Sequence, residues 1–528
     1  MGVPTITFTE RDNALGLVTS SDDAILVLGT CSAGTALTSG GPIYSFSNPS
    51  TIPGTLGYGP LADAAAYLAL TTGGPIYAGK LPSTTAGAAG SVTQVGTGTG
   101  VVTVTGDAAD VYNVVVTITT AGASPSAMKF TYTLNGGETD ALGNSTVVTS
   151  QVINGASTYA IPNTGLTLAF GSGTYVAGDT FSFTTTAPTY SQANLTAALA
   201  AVQLDPRGWR YILVLGGTTY DSTNTTQITT LDAALQTMRA ANKYTAAIGS
   251  ARDIGIKSGE TTEALWMAGL ITDAASSTSS LGLVSVVAGY GSIFMPLTQT
   301  ITASGASAQY MRRPLGLAVA ARALRSAQGP VPIAQDAGWI GAGTLPYVNR
   351  LYHDERAVPG LDAVRYATCM SWPGRGLYVT KGPRTEAPAG SDYGYLPYRL
   401  VMNRAETTVQ LNAAVLLNSS VRTRPSNVTI NPGGIDERDA RPIEGQLAAA
   451  LNAVLYSQDP TATSVSYPFV PGPPASGATA SAVWVDRSVN LLATGVLKVW
   501  IRLAALGYVR DVAVDIGFQS IATAAVGV

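Results

Sequence analysis

The single histidine of this 528-residue chain, His353, is followed directly by Asp354 and Glu355, so any Ser-His-Asp or Cys-His arrangement would have to be built around it. Three consecutive side chains point in different directions, and neither an HExxH spacing nor a second histidine accompanies them. The triplet therefore reads as a solvated turn between Tyr352 and Pro359, not as a metal or acid/base cluster. Gly96, Gly98 and Gly100 form a GxGxG string that superficially suggests a phosphate loop, but short β segments surround it and no helix follows. The repeats GGPIYS at Gly40 and GGPIYA at Gly73 read as turns into strands. Asp436 and Glu437 stand at the approach to a helix, where carboxylates favour the N-terminal dipole. Cys31 and Cys369 are far apart, without CxxC spacing, and read as small buried apolar residues. These residues supply no catalytic, cofactor-binding or metal site, and no cofactor is expected.

Composition points the same way. Hydrophobic residues make up 46% and charged residues only 12%, roughly half the usual charged share. A soluble monomer keeps charge on its exterior, so this shortage suggests a surface covered by other subunits. A net charge of −3 gives no global attraction to nucleic acid. Neither a secretion signal nor a run of 18 apolar residues is present, so membrane insertion is not expected. Met1-Gly2 with Thr5 only partly resembles a myristoylation start.

The elements that position these residues divide the chain into several packing units. An N-terminal arm, 1–20, precedes the first part of an α/β domain, 21–85. There AILVLGT (24–30) is a strand buried on both faces, LADAAAYLAL (61–70) a helix and PIYAGKL a second strand. Residues 86–188 contain only six charged residues, Asp107, Asp110, Lys129, Glu138, Asp140 and Asp179, and alternate with period two between turn residues. They read as an inserted, sandwich-like all-β domain placed on the outside. The α/β pattern resumes over 189–349, with helices at NLTAALAAVQL, Ile228–Ala241, Glu260–Ala274 and Leu315–Ser326. Between them lie strands RYILVLGG, YTAAIGS and GLVSVVAG, which implies a largely parallel sheet. In 350–510, Met402, Ala405, Val409, Ala413 and Leu416 mark one buried helix face, and Ile443, Leu447, Leu451 and Leu455 a second, with Pro442 at the helix start. Leu497, Val499, Ile501 and Leu503 alternate along a strand expected to pair with Val512, Val514, Ile516 and Phe518 in 511–528. Lys498 and Arg502 would then face Asp511 and Asp515. The fold class is α+β multidomain: α/β inner and middle domains carrying an all-β insertion.

The passages PTITFTERDNALGLVTS, AILVLGTCSAGT and LGYGPLADAAAYLALTTGGPIYAGKL resemble, in their order, the opening of contractile-tail sheath proteins. GRGLYVTKGPRTEAPAGSDYGYLPYRLVMNRA (374–405) and the terminal strand pair are similar to the inner domain of phage sheaths. The resemblance spans nearly the whole chain apart from the β insertion. It implies a subunit that stacks as hexameric rings around an inner tube, with baseplate and tail terminator proteins as further partners, assembled in the bacterial cytoplasm into a virion tail. Contraction drives the tube through a target envelope without nucleotide hydrolysis. Terminal arms add strands to neighbouring subunits in that family. The matching residues here are Thr5, Ile6, Thr7, Phe8 and Thr9, and Val512, Val514, Ile516 and Phe518, with Gly16 and Gly507 as candidate hinges.

From Arg350 onward basic side chains outnumber acidic ones by two, whereas the preceding part has an acidic surplus of five. Sheath inner domains meet an acidic tube, so Arg399, Arg404, Arg422 and Arg424 are candidate tube contacts, with a solvated helix face as the plain alternative. Two other functions stay open: a hydrolase-like α/β enzyme with an unrecognised site, and another virion component such as a baseplate or capsid protein.

Overall fold

The computed structural model describes residues 24–38, 40–72, 75–123, 125–137, 151–152, 157–216, 224–276, 279, 281–302, 305–325, 339–340, 348–372, 376–379, 384–388, 390–417, 419–425, 427, 429–455 and 481–503. Its centre is a six-stranded sheet. Ile25–Gly29, buried at all five positions, pairs in parallel with Ile76–Lys80 on one side and Tyr211–Val214 on the other. Ala246–Ser250 and Val284–Val287 extend it in parallel, and Tyr44–Phe46 closes the opposite edge antiparallel to Ile76–Lys80. The two GGPIY repeats thus lead into strands that pair with each other, Tyr44 opposite Ala78.

Alternation along the first strand assigns its two faces. Ile25 and Val27 join the core formed by the helices Pro60–Thr72 and Gly316–Arg325. Leu26 and Leu28 join the one formed by Gln192–Leu204, Asn224–Ala240 and Glu263–Ser276. A sheet covered on both faces requires strands apolar at every position, as seen here.

The insertion enters after Lys80 and leaves before Gln192. Its strands pair antiparallel in two groups: Ala88–Ala89, Thr180–Thr186, Asn113–Thr120, Lys129–Thr133 and Gln151–Val152, with Thr93–Val95 beside Thr180–Thr186, and the trio Thr158–Ile161, Leu166–Phe170 and Val102–Thr105. Phe130 bridges them, its ring centre 4.9 Å from Phe170 and 5.3 Å from Tyr159. The insertion does not hang from its ends: its core is continuous with that of the central sheet.

A long hairpin, Tyr290–Thr302 with Gly305–Pro314, occupies a stretch for which the sequence raised no expectation. Pro296 and an irregularity between Met295 and Gln299 break its alternation, which removes the period-two signal.

In the C-terminal part, Leu396–Ala413 packs on Glu437–Leu455. Ile443, Leu447, Leu451 and Leu455 are buried as expected. The other stripe is corrected: of its five residues only Ala405 is buried, and the inward face is Leu396, Leu400, Val401, Ala405 and Thr408, with Arg399 and Asn403. Polar residues that satisfy each other inside the fold mask an apolar stripe. Pro442 lies within the second helix, not at its start; Asp436 caps that helix, Oδ1 accepting from the Arg438 amide at 2.9 Å. A proline there loses only one helical hydrogen bond. Val499–Leu503 pairs antiparallel with Ser481–Val485, placing Trp500 opposite Trp484. The expected partner, Val512–Phe518, lies outside the described residues.

Candidate functional site

The arm residues Thr5, Ile6, Thr7, Phe8 and Thr9, the strand residues Val512, Val514, Ile516 and Phe518, and the hinges Gly16 and Gly507 all lie outside the described residues. The four arginines lie within them. Arg399 is a correction: its side chain is 1% exposed, Nε donating to Asn403 Oδ1 at 2.9 Å and Nη2 to Glu406 Oε2 at 3.0 Å, with the guanidinium 4.8 Å from the Tyr393 ring centre. A guanidinium held this way fixes the helix internally and presents no charge to a partner. Arg404 is half-buried on the same helix. Arg422 is exposed, 3.8 Å from Asp439. Arg424 is half-buried, its amide bonded to Gly434 O at 2.7 Å and its carbonyl to the Gly433 amide at 3.0 Å.

Exposed apolar side chains occur in the same part of the chain. Leu411, Val415, Leu417, Ile430, Leu492, Val496 and Trp500 are all exposed. The Leu491 amide bonds to Gly433 O at 2.9 Å, bringing the Leu492 turn beside the loop that carries Ile430. On the ribbon, Trp484 and Trp500 stack at 6.3 Å, with Lys498 4.4 Å from the centre of Trp500 and Arg502 5.4 Å from that of Trp484. The ribbon's Val483, Val499, Ile501 and Leu503 pack inward. The alternation read from sequence therefore holds on this strand, with its cations on the outer row.

A different site stands at the carboxyl ends of the central strands. The chain moves from Ile25–Gly29 to Ile76–Lys80 on one side, then to Tyr211–Val214 on the other, so strand order reverses between Ile25–Gly29 and Tyr211–Val214, where open α/β sheets hold ligands. A cavity of about 270 Å³ opens there, walled by Gly216, Ser250, Asp253, Tyr290 and the Thr185–Thr189 segment of the insertion. Arg313, buried, donates to Asp110 at 2.8 Å and approaches Asp63 at 3.4 Å. The two carboxyls also hydrogen-bond each other, and burial together with Asp63 pushes Asp110 up to about 7 against the pull of Arg313. Arg312 forks onto Asp253 at 2.6 and 2.7 Å. Arg252, fully buried, is shared between Glu260 and Asp273. Nothing in the sequence marks Arg312 and Arg313, because their carboxylate partners come from distant segments, and Arg252 meets Glu260 and Asp273 only through the fold of the loop and helix that follow it. Each cation is neutralised by the wall itself, which is what a structural junction does.

His353 is also corrected. It is buried, not solvated: Nδ1 lies 2.8 Å from Glu263 and Nε2 3.1 Å from Glu355, with the Trp266 ring edge-on at 5.4 Å. Burial lowers its proton affinity, but hydrogen bonds to Glu355 and Glu263 outweigh it and raise the pKa above the ordinary imidazole value. Glu355 also accepts the Gly360 and Asp362 amides at 2.7 and 3.1 Å, so its carboxylate shapes the turn. The Gly96–Gly98 loop wraps the chain's own Asp179, whose Oδ1 accepts the Thr97 amide at 2.9 Å and Gly98 at 3.3 Å. It cradles a carboxylate, not a phosphate. Cys31 and Cys369 are buried, and desolvation pushes both thiols up, Cys31 to about 11.

The sequence model of a family described as DUF2586, N-terminal domain, matches residues 3–383. No curated protein matches the chain. Solved structures similar to it include a sheath tail protein from Desulfitobacterium hafniense, at 12% identity and a TM-score of 0.38, covering 86% of this chain and 88% of that one. A chain of the anti-feeding prophage baseplate in the contracted state is similar at 11% identity and a TM-score of 0.48, covering 99% and 100%. A chain of the six-fold symmetrised baseplate of the same particle follows at 12% and 0.38, covering 63% and 76%.

Proposed function

The chain belongs to the family described as DUF2586, N-terminal domain; that description names no activity, and we propose on other grounds that the chain is a structural, non-catalytic sheath subunit of a contractile tail or injection system. It would stack as hexameric rings around an inner tube, contact baseplate and terminator proteins, and contract to drive the tube through an envelope. The observation that carries this reading is a set of exposed apolar side chains in the C-terminal part, Leu411, Val415, Leu417, Ile430, Leu492 and Val496, which also carries a ribbon of two strands. An exposed apolar surface of this kind is a liability in a dispersed monomer and a joint in an assembly. The order of strand, helix and strand at Ile25–Gly29, Pro60–Thr72 and Ile76–Lys80 supports it further, since that order underlies the resemblance to sheath proteins.

Within this reading Arg404, Arg422 and Arg424 remain tube-contact candidates, and charge reversal at these three positions should weaken tube attachment and flatten its salt dependence. Negative-stain microscopy of the purified full-length protein tests the whole proposal: rings, polysheaths or tubes are expected, and compact particles at every concentration and salt condition would overturn it. A second reading, an α/β enzyme, is favoured by one observation, the 270 Å³ cavity at the strand reversal with the Asp63–Asp110 carboxyl pair beside it. Turnover of a substrate lost in Asp110→Asn, with assembly absent, would select that reading.

A further inference from the structure

The outward face of the helix Glu263–Ser276 carries no charge. Its acidic residues are engaged by groups of the fold, Glu263 by His353 at 2.8 Å and Asp273 by Arg252. Residues 264–272, between them, contain no charged residue, and Ala264, Leu265, Ala268, Ile271 and Thr272 are exposed. Thr272 Oγ1 donates to the Ala268 carbonyl at 2.9 Å, so even this hydroxyl is turned back onto the helix. The turn that carries exposed Val358 adjoins the face, since a side chain on Gly360 would stand 3.7 Å from Ile271 Cδ1. A surface helix ordinarily keeps charged and polar residues on the side away from the core. This one presents an apolar side to the outside.

The end of the helix Leu396–Ala413 repeats the pattern. Residues 407–421 contain no charged residue, and Leu411, Ala414, Val415 and Leu417 are exposed. Asn412 Nδ2 donates to the Thr408 carbonyl at 2.8 Å, again inside its own helix. The two faces differ in relief. On the first, Ala264, Ala268 and Thr272 recur at every fourth position and form a low row between Leu265 and Ile271. On the second, Leu411 and Val415, also four apart, form a ridge. Rows of this spacing on one helix pack into the grooves of the same spacing on another. Net charge favours the same pairing: the part before Arg350, which holds the low row, has an acidic surplus of five, and the part that holds the ridge has a basic surplus of two.

We propose that these faces form one heterologous joint between copies of this chain, the Leu411–Val415 ridge of one copy seated on the Ala264–Ala268–Thr272 row of the next. An isologous joint would set row on row and ridge on ridge. Unlike faces mate more closely, and because each copy carries one of each, the contact repeats from copy to copy and closes into a ring or continues as a filament. The inference rests on the assembly reading above and adds which surfaces meet.

The test is cross-linking of assembled full-length protein with a short bismaleimide. Cys31 and Cys369 are buried and shielded from the reagent, so single cysteines can be introduced at the two faces. Ala268→Cys and Val415→Cys, one of them tagged to differ in mass, are mixed before assembly. A cross-linked heterodimer is expected from the mixture and no homodimer from either variant alone. Adding Leu265→Asp to the Ala268→Cys chain should abolish the heterodimer, because the buried joint offers that carboxylate no partner. Homodimers from the single variants would show isologous joints and overturn the proposal. So would a mixture that cross-links no more than the control pair Leu204→Cys with Val415→Cys, Leu204 being exposed on another helix. If that result comes from protein that forms rings or tubes, the joint fails and the assembly reading stands; wild-type protein that forms neither overturns both. Should a cysteine variant lack the wild-type circular dichroism, Ala264→Cys and Leu411→Cys, on the same two faces, are read instead with the same outcomes.

Discussion

Arg313 meets Asp110 at 2.8 Å, and this pair ties the base of the long hairpin to the inserted β unit, with Asp63 of the helix Pro60–Thr72 completing the junction at 3.4 Å. Removing the cation leaves two buried carboxyls without their countercharge. Arg313→Ala should therefore destabilise the protein by about 3–5 kcal/mol, measured by urea unfolding, whereas Asp110→Asn, which keeps a hydrogen-bonding group of the same shape, should cost markedly less. Equal effects of the two would remove the junction from the account.

The same junction predicts a pH dependence. Asp110 is raised from 3.8 to about 7, so between those values the folded state binds a proton that the unfolded chain has lost. Its contribution is full below the unfolded value and disappears as pH rises through about 7. Melting temperatures taken from pH 5 to 8 should show a decline that Asp110→Asn reduces; an identical slope in that variant would contradict the assignment.

His353, buried between Glu263 and Glu355, has its pKa raised above the ordinary imidazole value. Its stabilising contribution is complete below the unfolded value near 6.5 and is lost as pH climbs through the higher folded one. His353→Leu should cost about 2–3 kcal/mol at pH 6 and less at pH 9. Imidazole proton resonances titrating below 6.5 would count against a charged clamp.

The exposed side chains Val415, Leu417 and Leu492 make almost no contribution to the fold by themselves. Replacing all three by serine should leave unfolding within about 1 kcal/mol of wild type and abolish tube formation under the microscope. Normal tubes from that variant would move the assembly joint elsewhere.

Deleting residues 1–12 should give a soluble protein with normal circular dichroism that forms no tubes. The grounds are the strand alternation of Thr5, Thr7 and Thr9 with Ile6 and Phe8, which has no neighbouring partner segment in sequence. Tubes of normal length would remove the arm from the mechanism.

What the sequence determined by itself was local and periodic. Ile25–Gly29 reads as a doubly buried strand because every position is apolar, and Ile443, Leu447, Leu451 and Leu455 read as a helix face because their spacing matches the helical repeat. The insertion stood out because charge nearly vanishes over 86–188 while alternation persists. Tertiary structure decided the polar interior. Arg399 reads as a surface charge because its partners Asn403 and Glu406 lie on its own helix, and only the packing of that helix decides that this face turns inward. His353 looked like a turn residue because Glu263, 90 positions earlier, is brought to it only by packing. Burial of an ion depends on which face the fold covers and, for His353, on a partner from elsewhere in the chain. Apolar periodicity is written along one segment and can be read there; the burial of a charge is decided across segments and exists only once they meet.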